Sequence, residues 1–290
     1  MTVFRQLRSV LVESPIWVDD RMIWVDISVG TVREAREGGA RDGSDDEVHT
    51  VEAPLTALAP APDGWVAALG DRVVLLDADF AVSSTLASVQ HRHPLMRLNE
   101  GKCDPFGAFL VASMEMGDTE GGGALYRVHP DGRLETLLGG LTVGNGIEFS
   151  DDGRTLYLTD TGEKTVYRAE YDPEGPLGPL TPVIREHSFD GLVRDDAGGF
   201  FSACYGEGVV LRWTERDGVL ETYDLPAPNA TGIGFGGAGL GTLFVGTARE
   251  NLDEEALTEH PLSGSVFALD TGTRGLPVRR FGARTKDDRA

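Results

Sequence analysis

The sequence predicts an all-β fold: a six-bladed β-propeller with four-stranded antiparallel blades around a central channel. Three observations predict it. One strand–turn–strand phrase recurs along the whole chain, its period suits a four-stranded blade, and helix-forming segments are scarce. The phrase is an apolar stretch, a tight Asp/Gly turn, and a strand ending in small or acidic residues.

The first copy, SPIWVDDRMIWVDI, turns at Asp19-Asp20, and the second, ALAPAPDGWVAALGDRVVLLD, turns at Asp63-Gly64. GKCDPFGAFLVASM is the third, turning from Asp104 to Gly107. The fourth, GIEFSDDGRTLYLTDTGEKTVYRAEYD, turns at Asp152-Gly153. The fifth, GLVRDDAGGFFSACYGEGVVLRW, turns near Asp196-Gly198. The sixth is GIGFGGAGLGTLFVGTA followed by SGSVFALD, with its turn near Gly239-Gly241. Turn positions 19, 63, 104, 152, 196 and 239 are separated by 44, 41, 48, 44 and 43 residues, against a blade length of about 40–50. Runs such as TLYLTD alternate apolar and polar residues, and Asp-Gly turns join them as hairpins. Only NLDEEALTEH reads as helical. REAREGGARDGSDDE is charged and glycine-rich with no face to bury, so it is expected as an exposed loop between outer strands. No Pro/Ser-rich linker divides the chain, and residues 1–290 are expected to form one propeller domain.

Composition narrows the function classes. Hydrophobic residues make up 40%, enough for an ordinary core. No apolar run is long enough to span a membrane. Met1 to Val12 shows no apolar stretch with a cleavage site, so a cytoplasmic location is expected. Lys+Arg number 26 and Asp+Glu 47, a net charge of −21. That field repels nucleic acid and anionic membranes and leaves a small molecule as the expected partner. Cys103 and Cys204 form no CxxC pair, so neither a disulfide framework nor a zinc knuckle is expected.

Five polar residues stand at or near strand starts, where burial alone would favour aliphatic ones: Glu13, Arg97, Asn99, Asn145 and Asp190. They occupy equivalent places in the repeat, which a propeller brings together around its channel. Glu13, Asn145 and Asp190 offer two carboxylates and an amide oxygen, an all-oxygen set suited to a hard divalent cation. Asn-Gly and Asp-Gly are also common turn dipeptides; it is their alignment by the repeat that favours a site.

The phrases ESPIW, RLNEGKCDPFGAFLVASM, VGNGIEFSDDGRTLYLTD, FDGLVRDDAGGFFSACYGEG and FGGAGLGTLFVGTA, in this order, resemble the senescence marker protein/regucalcin/gluconolactonase family. The resemblance implies a six-bladed propeller holding one divalent cation, Ca2+ first with Zn2+, Mn2+ or Mg2+ as alternatives. It implies hydrolysis of a small lactone, most naturally a sugar aldonolactone, by a monomer or small homo-oligomer. Carried over by residue, it puts the metal on Glu13, Asn145 and Asp190; as a ligand beside the attacking water, Asp190 is also the expected catalytic base. Arg97, Asn99 and Glu115 fall to substrate binding. Two departures stand out: Glu100 replaces the family's Asp, and Ser14 stands where relatives carry Gly. The segment EMGDTEGGGALY is short where relatives place a substrate-contacting lid. An aryl-ester or organophosphate hydrolase and a non-catalytic calcium-binding propeller remain alternatives. No GxSxG elbow supports a serine esterase. His91 and His93 supply no third ligand for zinc.

Overall fold

Five of the six repeats each fold into one four-stranded antiparallel sheet, and the sixth supplies three strands of another, in the structure, a computed structural model that describes residues 1–92, 94–116 and 121–283. An N-terminal strand, β1 (Thr2–Arg5), precedes the first repeat. That repeat forms β2 (Val12–Val18), β3 (Arg21–Asp26), β4 (Thr31–Arg36) and β5 (Glu47–Thr50). The second forms β6 (Leu55–Ala61), β7 (Gly64–Leu69), β8 (Arg72–Leu76) and β9 (Val82–Ser88). The third forms β10 (Met96–Cys103), β11 (Phe109–Glu115), β12 (Gly123–Val128) and β13 (Leu134–Leu141). The fourth forms β14 (Gly144–Phe149), β15 (Thr155–Asp160), β16 (Thr165–Glu170) and β17 (Thr181–Arg185). The fifth forms β18 (Phe189–Arg194), β19 (Phe200–Cys204), β20 (Val209–Thr214) and β21 (Gly218–Asp224). The sixth supplies β22 (Ala230–Gly236), β23 (Thr242–Thr247) and β24 (Val266–Asp270), and β1 completes that sheet by pairing with β24. This is the six-bladed β-propeller class that the repeat predicts.

All six predicted turns join the first and second strands of a sheet. Asp19 and Asp20 both have positive φ, 50° and 62°, the left-handed pair that a tight hairpin requires. At Asp63-Gly64 a Cβ on Gly64 would stand 2.2 Å from the Leu76 carbonyl oxygen, so only glycine fits. At the third, fourth and fifth turns an aspartate side chain holds the turn: Asp104, for one, accepts from the Phe106 and Ala108 N–H groups, each at 2.8 Å. The helical reading of NLDEEALTEH is met by α1 (Glu254–Glu259), with Asp253 accepting from Ala256 N at its start.

The charged stretch after Thr31 departs from expectation. Its first part is strand β4, and Asp46 in the following loop is buried, taking Arg5 Nε at 2.7 Å and Arg33 at 3.2 Å. Composition hides this because a buried ion pair counts as two surface charges in a one-dimensional reading.

The chain forms two compact units. One contains Met1–Leu55 and His187–Pro277, thus the first, fifth and sixth sheets. In it β2 and β18 both pack on β22. Phe201, Ile233, Leu243 and Phe267 centre one of its cores, and Trp24, Met22 and Phe244 another. Trp24 is buried and Trp17 stacks on Phe244 with centroids 6.0 Å apart, so both tryptophans pack in this core. The other unit contains Thr56–Glu186 and the segment from Val278, with the second, third and fourth sheets. There β10 packs on β14, with Leu110, Phe149 and Leu158 in one core and Phe109, Val111 and Phe281 in the other. Among the described residues no helix is long and apolar enough to cross a membrane.

Candidate functional site

The predicted polar residues share a backbone device. In five first strands the pairing register slips near the strand start: between Glu13 and Ile16, Leu98 and Gly101, Asn145 and Ile147, Phe189 and Leu192, and Ala230 and Ile233. A bulge frees a residue from the in–out alternation and re-aims its side chain. That is how Glu13, Asn99, Asn145 and Asp190 occupy places that period-two patterning assigns to the core.

In the first unit Glu13 is 6% and Asp190 5% exposed. A Cβ on Gly232 would lie 2.5 Å from Glu13 Oε2 and 3.0 Å from Ser14 N. Glycine at 232 therefore clears the space that the Glu13 carboxylate fills. From the other side the Gly191 backbone presses on the same bulge, where a Cβ would stand 2.8 Å from the Thr231 carbonyl. Glu13 and Asp190 thus sit on strands that flank one glycine of β22. Thr231 Oγ1 donates to the Val12 carbonyl at 2.5 Å, and Glu13 Oε2 accepts from Ser14 N at 3.1 Å. Ser14 adopts a left-handed φ of 49°, a conformation that glycine takes without cost. Asp26, at the end of β3, accepts from Val10 N at 2.9 Å and Leu11 N at 3.1 Å and so anchors the segment leading to Glu13. Burial raises its pKa, and those two N–H groups pull it back.

In the second unit Arg97, Asn99 and Asn145 form a hydrogen-bonded chain. Arg97 donates to Asn99 Oδ1 and, at 3.1 Å, to the Leu98 carbonyl. Asn99 Nδ2 donates to Asn145 Oδ1 at 2.8 Å and to the Gly144 carbonyl at 3.0 Å. Asn145 Nδ2 donates to Thr161 Oγ1 at 2.8 Å, which orients the amide and leaves Oδ1 a second lone pair. Asp160 repeats what Asp26 does: it accepts from Thr142 N at 2.9 Å and Val143 N at 3.0 Å, just ahead of Asn145. Glu115 is buried on β11 opposite Met96, its Oε2 facing Gly122. Residues 117–120 of the short segment after it, and His93, lie outside the described residues.

Asp104 turns out to hold its own turn and to accept from Tyr171 Oη at 2.5 Å. Burial raises the Glu100 carboxyl; Lys102 opposes this and the Glu148 charge adds to it. Burial acts on Glu148 in the same direction, but Lys102 at 3.2 Å and Arg279 at 2.8 Å outweigh it and hold Glu148 down to about 2.

Sequence reasoning missed Asp26, Thr161, Thr231 and Gly232. The acidic ends of WVDI and YLTD were a signal for the two anchoring aspartates, and the alternating glycines of GIGFG a signal for the close approach of β2. Thr161 left none.

Comparison with known proteins settles the lineage. A family model described as SMP-30/Gluconolactonase/LRE-like region matches residues 11–249. The chain belongs to the SMP-30/gluconolactonase/LRE-like family. The 6-deoxy-6-sulfogluconolactonase of Pseudomonas putida is 32% identical over 94% of this chain and 95% of its own length. The L-arabinolactonase of Azospirillum brasilense is 30% identical over 97% and 95%. Among solved structures, a calcium-binding regucalcin from Agrobacterium tumefaciens superposes with a TM-score of 0.88 at 27% identity, covering 97% of each chain. In this member of the SMP-30/gluconolactonase/LRE-like family, Glu13, Arg97, Asn99, Glu115, Asn145 and Asp190 all lie inside the matched region.

Proposed function

We propose that this protein is a divalent-metal-dependent hydrolase that opens a small sugar lactone. End-to-end similarity to two lactonases supports the reaction class. The observation that carries the site is the chain from Arg97 through Asn99 and Asn145 to Thr161. It fixes an amide oxygen as an acceptor at a position that the repeat makes equivalent to Glu13 and Asp190. Two buried carboxylates and one oriented amide oxygen fit a hard cation such as Ca2+. When bound, the cation supplies Lewis-acid stabilisation of the negative charge that develops on the lactone carbonyl oxygen.

The side chains divide the remaining work. Glu13, Asn145 and Asp190 hold the cation. An Asp190 oxygen accepts a proton from the water that attacks the carbonyl carbon. The ring C–O bond then breaks, and that proton passes to the departing alkoxide to give the open hydroxy acid. Arg97 presents its planar fork to substrate oxygens. Both amide hydrogens of Asn99 are committed to Gly144 and Asn145, so Asn99 acts chiefly by positioning Asn145. Glu115 accepts from a sugar hydroxyl.

The test is a pH-indicator assay of several aldonolactones on chelator-treated protein with Ca2+, Mg2+, Mn2+ or Zn2+ restored. Metal-dependent turnover is expected, with Asp190→Ala near background and Glu13→Gln weaker in metal affinity by at least the about 10–100-fold that loss of an outer-shell partner costs, because it removes a charged ligand. Background rates with every metal and lactone overturn the hydrolase reading. A cation that still raised the melting temperature would then leave a calcium-binding protein.

A further inference from the structure

We propose that His187, Cys204 and Glu207 form a second metal site, distinct in chemistry from the oxygen-lined one, for a thiophilic divalent ion of the Zn2+ class. One ligand atom from each residue lies within 4.8 Å of the others. His187 Nδ1 is 2.6 Å from Glu207 Oε2, and its ring is set edge-on against Phe189. Tetrahedral coordination places such N, O and S atoms about 3.3–3.6 Å apart. The cluster therefore needs adjustments of about 1 Å, within reach of side-chain rotation. A water fills the fourth position in this scheme.

The repeat explains how the thiol came to stand there. The residue opposite the start of the first strand is Asp26 in the first sheet and Asp160 in the fourth, and both cap the incoming backbone. In the fifth sheet that position is Cys204, paired with Phe189. The capping has moved to Glu207, whose Oε1 accepts from Ser188 N at 2.6 Å. Oε2 is left for His187, and the thiol is relieved of the carboxylate's task. Nucleophilic use of the thiol is the poorer fit. Cys204 is fully buried, out of reach of a substrate's reacting carbon. Metal binding would replace the thiol proton, which leaves to solvent.

Co2+ titrated into the chelator-treated full-length protein is the probe. A near-ultraviolet thiolate-to-cobalt charge-transfer band saturating at one equivalent is expected, displaced by Zn2+ and indifferent to excess Ca2+. Cys204→Ser abolishes the band and Cys103→Ser keeps it. His187→Ala and Glu207→Gln, at partly exposed positions, weaken Co2+ binding at least tenfold, and Glu13→Gln does not. No band in the wild type overturns the proposal. So does a band that survives unchanged in His187→Ala, or one lost in Cys103→Ser but kept in Cys204→Ser.

Discussion

Thr161 shows how much a single hydroxyl decides at the residue scale. An amide can ligate a cation only through its oxygen, and it is the 2.8 Å bond from Asn145 Nδ2 to Thr161 Oγ1 that chooses the orientation. Thr161→Val keeps the shape and removes the acceptor. It is expected to weaken metal affinity about 10–100-fold, as loss of outer-shell partners typically does, with little change in fold. Calorimetric titration of the cation reads this; unchanged affinity would remove Asn145 from the ligand set. Glu148 offers a second test. Its folded value of about 2, below the ordinary 4.5, arises because Lys102 and Arg279 overcome the effect of burial. A carboxyl lowered on folding stabilises fully above its unfolded value and loses that contribution as pH falls through the folded one. Glu148→Gln is therefore expected to cost about 1–3 kcal/mol at pH 7, with the difference from wild type shrinking as pH falls from 5 towards 2. Urea denaturation across that range measures it, and a pH-independent difference would count against the charge argument.

Among the elements, the bulged first strand carries the most consequence. Glu13 and Asp190 reach their places because β2 and β18 slip register beside β22, where Gly232 admits the Glu13 carboxylate and Gly191 lets β18 approach. Gly232→Ala puts a methyl 2.5 Å from Glu13 Oε2 and 2.7 Å from Pro15 Cδ. Overpacking of this kind costs about 1–3 kcal/mol. The larger expected effect is on function, since the carboxylate must move: metal affinity is expected to fall at least as far as in Glu13→Gln. A variant that lost stability but bound metal normally would show that Gly232 serves packing alone.

For the whole molecule, the sixth sheet joins the two ends of the repeat series, because β1 pairs with β24. Arg5 at the end of β1 is buried, bonded to Asp46 at 2.7 Å and to the Arg36 carbonyl at 2.8 Å. Phe4 beside it meets Phe244 edge-on at 4.8 Å. Removing one partner of a buried pair strands the other, so Arg5→Ala is expected to cost about 3–5 kcal/mol in urea denaturation. A loss under 1 kcal/mol would mean that β1 contributes little to the sheet.

The repeat was legible in the sequence because hairpin turns need particular residues: Asp19-Asp20 and Asp63-Gly64 announce their backbone conformation wherever they occur. The candidate site residues were legible as exceptions to it, polar groups where a strand start should be apolar. NLDEEALTEH was legible because its capping aspartate and helix formers are neighbours along the chain. What stayed hidden depends on contacts between residues far apart in sequence. Buried Asp46 reads as a loop charge until Arg5 is beside it, Gly232 as a flexible residue until Glu13 Oε2 fills its space, and β1 as a tail until β24 offers an edge. His187, Cys204 and Glu207 share no motif and meet only through the pairing of β18 with β19. By itself the sequence determined the six sheets and the residues around which a site could form, because turns and strand patterns are local. The tertiary structure alone decided which lone pairs, carboxylates and thiols face one another, because a bulge or a missing Cβ has its effect on a neighbour that the chain order does not name.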